Sequence, residues 1–255
     1  MTTAAAMPLS GQVVLVTGAA RRIGAAIARA FHGTGAAIAL HCHRSAKEGS
    51  ALVAEFNAAR AKSAELIRGD LALPDTWTAL PATAIRAFGR LDVLVNNAST
   101  FYPTPVGEIT AAQFDDLIGT NLRAPLFLAQ AAAPELRRRQ GLILNIADIH
   151  GLRPLARHAV YSSAKAALVM LTRSLARELG PEIRVNAIAP GPVLWPEGAM
   201  DEDLKRSIVE RTALKRAGSP EDIAKAALFF ATGAPYVTGE VLAVDGGRLA
   251  GGDRR

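Results

Sequence analysis

The chain has 255 residues, of which 50% are hydrophobic and 20% are charged, and its formal net charge at pH 7 is +6. This composition excludes a disordered protein, and the length suits one large α/β domain with a sizeable core. The basic residues are scattered along the chain, so we expect no nucleic-acid partner and attribute the positive charge to a surface that attracts an anionic cofactor.

Nothing in the sequence predicts secretion or a membrane span. Residues 1–10 carry neither a basic region nor an apolar run adequate for a signal peptide, and we expect them to form a flexible lead-in to a domain over residues 11–255. No uncharged apolar stretch reaches the length of a transmembrane helix. Cys42 is the only cysteine, which excludes an internal disulfide and favours the reducing cytoplasm.

Short apolar runs typical of strands alternate with helical patterns along the whole chain. The predicted strands are one that ends at Gly18 and six more at residues 36–41, 64–70, 91–96, 141–147, 183–189 and 240–245. The predicted helices start near Gly24 and then cover residues 45–61, 74–88, 110–138, 158–179 and 220–231, with one helical segment inside the irregular stretch 190–218. This alternation predicts an α/β fold of the Rossmann type, with a doubly wound parallel sheet of about seven strands.

The segment from Thr17 to Gly24 joins the first strand to the first helix. Gly18 and Gly24 occupy the outer positions of a dinucleotide-binding fingerprint, but Arg22 stands where a middle glycine is expected. A helix N-terminus attracts phosphate, and a guanidinium can hold a phosphate bidentately. We therefore expect Gly18, Arg22 and Ile23 to bind a cofactor; a strand–turn–helix whose glycines are purely structural is the alternative.

The second strand is followed by His43, Arg44 and Ser45. An NAD-dependent enzyme would place an acidic residue here for the ribose hydroxyls, whereas a cation and a hydroxyl suit the 2′-phosphate of NADP. His41 and Cys42 point to opposite sides of a strand, so we expect no metal site in this stretch.

Ligands of a doubly wound sheet bind beyond the carboxyl ends of its strands. The residues that follow the later strands are mostly polar, or are glycine and proline. They are Asp70, Leu71, Asn97, Ala98, Ser99, Asp148, Pro190 and Gly191. We expect these residues to line one ligand site.

Tyr161 and Lys165 are four residues apart in a predicted helix and therefore share one helical face. The ammonium favours the phenolate, so we expect the pKa of Tyr161 to fall toward the working pH, where the phenol can exchange a proton with a substrate. A hydrogen bond on the helix surface is the alternative interpretation.

Four motifs together resemble the short-chain dehydrogenase/reductase family, and the match spans nearly the whole chain. They are Thr17-Gly-Ala-Ala, Asn96-Asn-Ala, Tyr161-x-x-x-Lys165 and Pro190-Gly191. The resemblance implies that Tyr161 is the catalytic acid, that Lys165 holds the nicotinamide ribose, and that Asn121 completes the usual catalytic tetrad. It also implies NADPH as cofactor and, because the family commonly pairs the two long helices 110–138 and 158–179, a homotetramer.

Asn121 also has a physical reason to take part. Pro125 lies four residues later in the same predicted helix, so the carbonyl of Asn121 loses its helical donor. We hypothesise that this carbonyl holds a water that leads protons toward Lys165. A kink that serves only packing is the alternative.

Asp148 departs from the family pattern, which usually has serine at this position. A carboxylate donates a hydrogen bond only when it is protonated, so it suits a ring nitrogen better than a carbonyl oxygen. Asp148, His41-Cys-His-Arg-Ser45 and the stretch from Asn96 to Pro105 closely resemble the pteridine reductases.

That resemblance implies that Phe101 stacks a pterin against the nicotinamide, and that Ser99 and Arg22 bind pterin and phosphate groups. Trp195 is expected to line the substrate pocket, with a core aromatic as the alternative.

The resulting hypothesis is an NADPH-dependent pteridine reductase that reduces a dihydropterin, or dihydrofolate, while Tyr161 and Asp148 protonate the ring. A carbonyl or 3-oxoacyl reductase of the same family is one alternative, against which Asp148 and Phe101 argue. A non-catalytic NADP-sensing protein is another, and the intact Tyr161/Lys165 pair argues against it.

Overall fold

A computed structural model describes residues 7–195 and 201–251. Its centre is a parallel sheet of seven strands in the order β3-β2-β1-β4-β5-β6-β7. The strands are β1 (Val13–Val16), β2 (Ala37–Cys42), β3 (Ala64–Arg68), β4 (Val93–Asn96), β5 (Leu142–Ile146), β6 (Arg184–Pro190) and β7 (Val241–Val244). The predicted doubly wound fold is confirmed.

Helices cover both faces of the sheet. They are α1 (Arg22–Gly33), α2 (Ala46–Ala59), α3 (Pro74–Phe88), α4 (Ala111–Ile118), α5 (Ala124–Arg139), α6 (Ala159–Leu179), α7 (Glu202–Glu210) and α8 (Pro220–Thr232). Alternate residues of β1 serve the two faces: Val14 and Val16 pack with α1, α2 and α8, whereas Val13 and Leu15 pack with α3, α5 and α6. Both faces are buried, as expected for a parallel sheet.

The predicted helix over residues 110–138 is interrupted. A capping box at Thr110 starts α4, and a π-helical turn at Gly119–Arg123 separates α4 from α5. Pro125 explains the break, because it has no N–H for the carbonyl four residues before it. Such π-turns occur frequently at functional sites, and this one contains Asn121.

The predicted lead-in is shorter than expected. Leu9 is buried in the core beside α1, and its N–H donates to the carbonyl of Thr34 at 3.0 Å. Residues 7–10 therefore pack against the rest of the chain, because an apolar side chain gains more from burial than a short segment loses in entropy. Residues 1–6 lie outside the described part of the chain.

A chain of buried polar side chains fastens α6 to the sheet. Asn96 Nδ2 donates to Asn145 Oδ1 at 2.9 Å, and Asn145 Nδ2 donates to Thr172 Oγ1 at 2.9 Å. Thr172 in turn donates to the carbonyl of Leu168 at 2.8 Å. Buried polar groups are costly when unpaired, so this chain selects one placement of α6 on β4 and β5.

Among the described residues, no helix is long and apolar enough to cross a lipid bilayer.

His41 links three strands at the carboxyl end of the sheet. The Gly18 N–H donates to His41 Nδ1 at 3.3 Å, so the ring proton belongs on Nε2, which lies 3.1 Å from the carbonyl oxygen of Gly69. The ring is buried, and burial lowers the pKa of His41 from its usual 6.5 to about 4.

This pKa predicts that the protein loses stability as the solution is acidified. The unfolded chain binds a proton at His41 below its ordinary pKa, while the native ring stays neutral down to about pH 4. The free energy of unfolding should therefore fall by about 2 kcal/mol from this residue between about pH 7 and about pH 5. Urea unfolding of the parent and of His41→Gln across that range measures the difference, and equal slopes would contradict the assignment.

Candidate active site

A cleft of about 890 Å³ opens at the carboxyl edge of the sheet, where the strand order reverses between β1 and β4. Open α/β sheets bind their ligands at this switch point. The cleft brings together most of the residues predicted to bind cofactor or substrate, namely Gly18, Arg22, Ile23, His43, Arg44, Ser45, Asp70, Leu71, Asn97, Ala98, Ser99 and Phe101.

The turns after β1 and β4 are tied together. Thr17 Oγ1 accepts from the N–H groups of Asn97 and Ala98 at 2.9 and 3.1 Å, and Asn97 Nδ2 donates to the carbonyls of Thr17 and Gly18 at 2.8 and 3.1 Å. Gly18 has φ +61°, and a Cβ there would lie 2.9 Å from Ala98 Cα, so only glycine fits. The Asn97 side chain thus supports the turn. Thr17 has the same role, which the sequence analysis missed.

Arg22 adopts the left-handed conformation, with φ +55°, at the position where the fingerprint expects glycine. Arg21, the N-cap of α1, makes no side-chain capping hydrogen bond, and the first turn of α1 holds no acidic residue, which suits an anion. Arg22 Nη2 donates to the carbonyl of Trp195 at 3.0 Å. The phosphate turn is thereby joined to the segment after β6. Trp195 itself does not line the cleft.

The predicted 2′-phosphate end of the cleft carries exposed cations. Arg44 is exposed and forms no ion pair with any described residue. Ser45 is the N-cap of α2 but makes no capping hydrogen bond with its side chain. His43 Nδ1 lies 3.7 Å from Asp70 Oδ1. These groups can receive a phosphate without first breaking a strong contact.

Lys165 and Tyr161 lie buried on one face of α6, as predicted. Lys165 Nζ lies 5.7 Å from the centroid of the Tyr161 ring and donates to the carbonyl of Ile146 at 2.9 Å. Burial lowers the pKa of Lys165 to about 8, while the negative charge of Asp148 acts in the opposite direction. The ammonium therefore remains charged at neutral pH.

Asp148 contacts Tyr161 directly. The Tyr161 hydroxyl donates to Asp148 Oδ2 at 2.7 Å, and Asp148 Oδ1 accepts from the N–H of His150 at 2.8 Å. Burial and the adjacent carboxylate raise the pKa of Tyr161 well above its ordinary value. The predicted lowering of this pKa by Lys165 is therefore wrong for this structure, because burial and the Asp148 carboxylate both raise the pKa.

Asn121 acts through its side chain. Its Nδ2 donates to the carbonyls of Leu117 and Thr100 at 2.9 and 3.0 Å, and its Oδ1 accepts from Ser99 Oγ at 2.7 Å. The Ser99 side chain lowers the pKa of Tyr161, against the larger effects of burial and Asp148. Asn121 thereby holds the segment after β4 against the Tyr161 hydroxyl.

Phe101 lies at the mouth of the cleft with 42% of its surface exposed. Its ring meets Tyr161 edge to face, with centroids 4.8 Å apart, and stacks on His158 at 4.7 Å. His158 was not predicted as a site residue. It lies three residues before Tyr161, and this spacing of about one helical turn could have indicated that the two side chains lie close together.

Seven predicted residues do not line the cleft: Asn121, Asp148, Tyr161, Lys165, Pro190, Gly191 and Trp195. Tyr161 reaches the cleft through Ser99 and Phe101. Gly191 donates its N–H to Val244 at 3.0 Å, and a Cβ there would lie 2.5 Å from Asp245 Cα, so this glycine allows β6 and β7 to approach each other. A second cavity, of about 430 Å³, lies beyond it and contains none of the predicted site residues.

Comparisons with known proteins agree with this geometry. The sequence profile of a family described as Enoyl-(Acyl carrier protein) reductase matches residues 18–248. Pteridine reductase 1 of Leishmania tarentolae is 37% identical over 293 residues, which cover 97% of this chain and 98% of that protein. L-fucose dehydrogenase of Oryctolagus cuniculus is 38% identical over 251 residues, which cover 95% of this chain and 86% of that protein.

A solved structure, that of a blue fluorescent protein from a metagenomic library in complex with NADPH, has a TM-score of 0.89 to this chain and 37% sequence identity. The likeness covers 94% of this chain and 99% of the other. Together with the sheet order, the cleft and the Tyr161/Lys165 pair, these matches assign the chain: it belongs to the short-chain dehydrogenase/reductase family and is an oxidoreductase of that family.

Proposed function

We propose that this oxidoreductase is an NADPH-dependent pteridine reductase, which reduces a dihydropterin or the related dihydrofolate. The observation that carries the proposal is the 2.7 Å hydrogen bond between Tyr161 and Asp148 beside the half-exposed ring of Phe101. This arrangement combines a proton source with a flat apolar surface, which are the two features that reduction of a fused heterocycle needs.

The residues of the cleft fit NADPH. The uncapped N-terminus of α1 and Arg22 would hold the pyrophosphate, while Arg44 and Ser45 would hold the 2′-phosphate. The same cofactor is bound by the similar blue fluorescent protein. Lys165 would hold the nicotinamide ribose, and the carboxyl end of β6 at Pro190 and Gly191 would complete the site.

In this proposal the chemistry that NADPH would supply when bound is a hydride, which would go to the carbon of a ring C=N bond. The proton on the nitrogen comes from the hydroxyl of Tyr161, whose hydrogen bond to Asp148 keeps it protonated before reaction. The phenol carries the proton that would be transferred, but a raised pKa opposes its release, because a general acid works best with a pKa near the working pH. The Lys165 ammonium would balance the negative charge left on the pair after transfer.

Protons would return by way of Asn121. Its side chain is fully used by Ser99, Thr100 and Leu117, so a water could be held only at its main-chain carbonyl. Pro125 cannot donate to that carbonyl. We propose that the π-turn at Gly119–Arg123 directs the carbonyl toward the side of Lys165.

Phe101 would stack the pterin against the nicotinamide. Ser99 and Arg22, which line the cleft, would bind polar groups of the substrate and phosphate. Trp195, which does not line the cleft but accepts a hydrogen bond from Arg22 at its carbonyl, would close the substrate side. The relatives alone do not select the substrate, because a pteridine reductase and an L-fucose dehydrogenase are similarly close to this chain. Asp148 and Phe101 are therefore the residues that favour the pterin over a simple carbonyl compound.

The first prediction concerns cofactor choice. Arg44 would form a charge-assisted contact worth roughly 1.5–3 kcal/mol, so NADPH should be preferred over NADH by more than about tenfold. Arg44→Ala should remove most of this preference, while Arg86→Ala, which changes an exposed arginine of α3, should leave it intact. Steady-state kcat/KM for both cofactors measures the effect. Equal values in the parent would contradict the prediction.

The second prediction concerns assembly. Helix α6 presents an exposed stripe of Ser163, Ala166 and Met170, and Met170 is 59% exposed. We propose that pairing of this face contributes to a homotetramer. Light scattering at micromolar concentration should give four times the 26.7 kDa chain mass. Met170→Glu should reduce that mass, whereas Val106→Glu in an exposed loop should not. A single-chain mass for the parent would exclude the tetramer.

The third prediction tests the substrate at Asp148. Asp148→Ser removes the partner of the Tyr161 proton but keeps an oxygen that can accept from the His150 N–H. The kcat/KM for dihydropterin reduction should fall about 10²-fold or more, and the Kd for NADPH should stay at the parent value. Turnover of an activated ketone should rise, because serine restores the neutral donor that a carbonyl oxygen prefers.

The comparison is kcat/KM for both substrates in parent and variant, with the Kd for NADPH as the control for an intact site. Undiminished pterin reduction in Asp148→Ser would leave Asp148 outside the mechanism. A parent that reduces the ketone but no pterin would replace the proposal by the carbonyl reductase alternative.

A further inference from the structure

The ring of Phe101 contacts two other rings and remains partly exposed. The His158 imidazole stacks on it, with centroids 4.7 Å apart and ring planes within 13° of parallel. Tyr161 makes a T-shaped contact with the same ring, with centroids 4.8 Å apart. Phe101 nevertheless keeps 42% of its surface exposed and lines the cleft.

The orientation of His158 is itself fixed. Its Nδ1 lies 2.9 Å from the carbonyl oxygen of Ala156, and since a carbonyl only accepts, this nitrogen carries the proton. His158 also forms an isolated parallel β-bridge with Thr104. The N–H of Thr104 donates to the carbonyl oxygen of Arg157 at 2.6 Å. The segment that carries Phe101 and the start of α6 are thus joined next to the stacked rings.

A capping role does not account for this histidine. His158 is the N-cap of α6, but its side chain makes no capping hydrogen bond. Its imidazole instead stacks on Phe101 and forms a hydrogen bond with the carbonyl of Ala156. The side chain therefore has a partner in the candidate site and not in the helix that it precedes.

We propose that His158 is a positioning residue for substrate binding. It supports one face of Phe101 so that the opposite face is held ready for a planar heterocycle, which gives a stack of three rings. The inference rests on the proposed function for the nature of that heterocycle. A parallel ring pair depends on flatness, so a flat side chain at position 158 should serve and a branched aliphatic one of similar size should not.

The test compares His158→Leu with His158→Phe at saturating NADPH. Loss of the supporting ring should raise KM for dihydropterin roughly 3- to 10-fold, the scale of one aromatic pair, with kcat within about twofold. His158→Phe should restore KM to the parent value. The Kd for NADPH should be the same in all three proteins, because the cofactor residues lie elsewhere.

If His158 had only a structural role, both substitutions would change KM by the same factor. Equal KM values for His158→Leu and His158→Phe would therefore overturn the inference. A parent that reduces no dihydropterin would instead overturn the proposed function, and the three-ring stack with it. If the parent reduces dihydropterin and His158→Leu has the parent KM, the inference about His158 is contradicted and the proposed function is not.

A second measurement examines the stack without substrate. The ring protons of His158 should show an upfield ring-current shift in the NMR spectrum of the parent, and Phe101→Leu should abolish it. Unchanged His158 resonances in Phe101→Leu would overturn the inference even if the kinetic variants were unstable.

Discussion

The close approach of the turns after β1 and β4 is the constraint on which the site depends. Thr17 and Asn97 exchange hydrogen bonds across it, and Gly18 has no room for a side chain against Ala98. This contact places the N-terminus of α1 beside the segment that carries Ser99 and Phe101. The two parts of the cleft are consequently joined by side-chain and backbone hydrogen bonds.

The chemistry of the site is decided by which charge lies nearest to Tyr161. Lys165 is close to the ring, but the hydroxyl donates to Asp148. A serine at that position would be neutral and would leave the ammonium dominant, which favours a phenolate. Burial and the Asp148 carboxylate together raise the pKa of the Tyr161 phenol. The side chain at position 148 thereby changes the pKa of Tyr161 without a change of fold.

Much of the fold could be predicted because it follows from local patterns. The alternation of apolar runs and helical stretches locates all seven strands to within a few residues, and Pro125 signals the disturbance that became the π-turn. Burial of Leu9 could not be foreseen, since it depends on a groove that α1 and the following turn create only after folding.

The sequence by itself determined the parallel sheet, Gly18 in the turn after β1, the cation Arg44 after β2, and the shared helical face of Tyr161 and Lys165. Each follows from spacing along the chain, which the periods of helix and strand convert into direction. Only the tertiary structure decided the partner of the Tyr161 hydroxyl, the use of the Asn121 side chain and the stack of His158 on Phe101. These contacts join different segments, so their distances depend on how α6 packs against the loop after β4. A change of one ångström in such a distance is enough to break a hydrogen bond or to change a pKa shift.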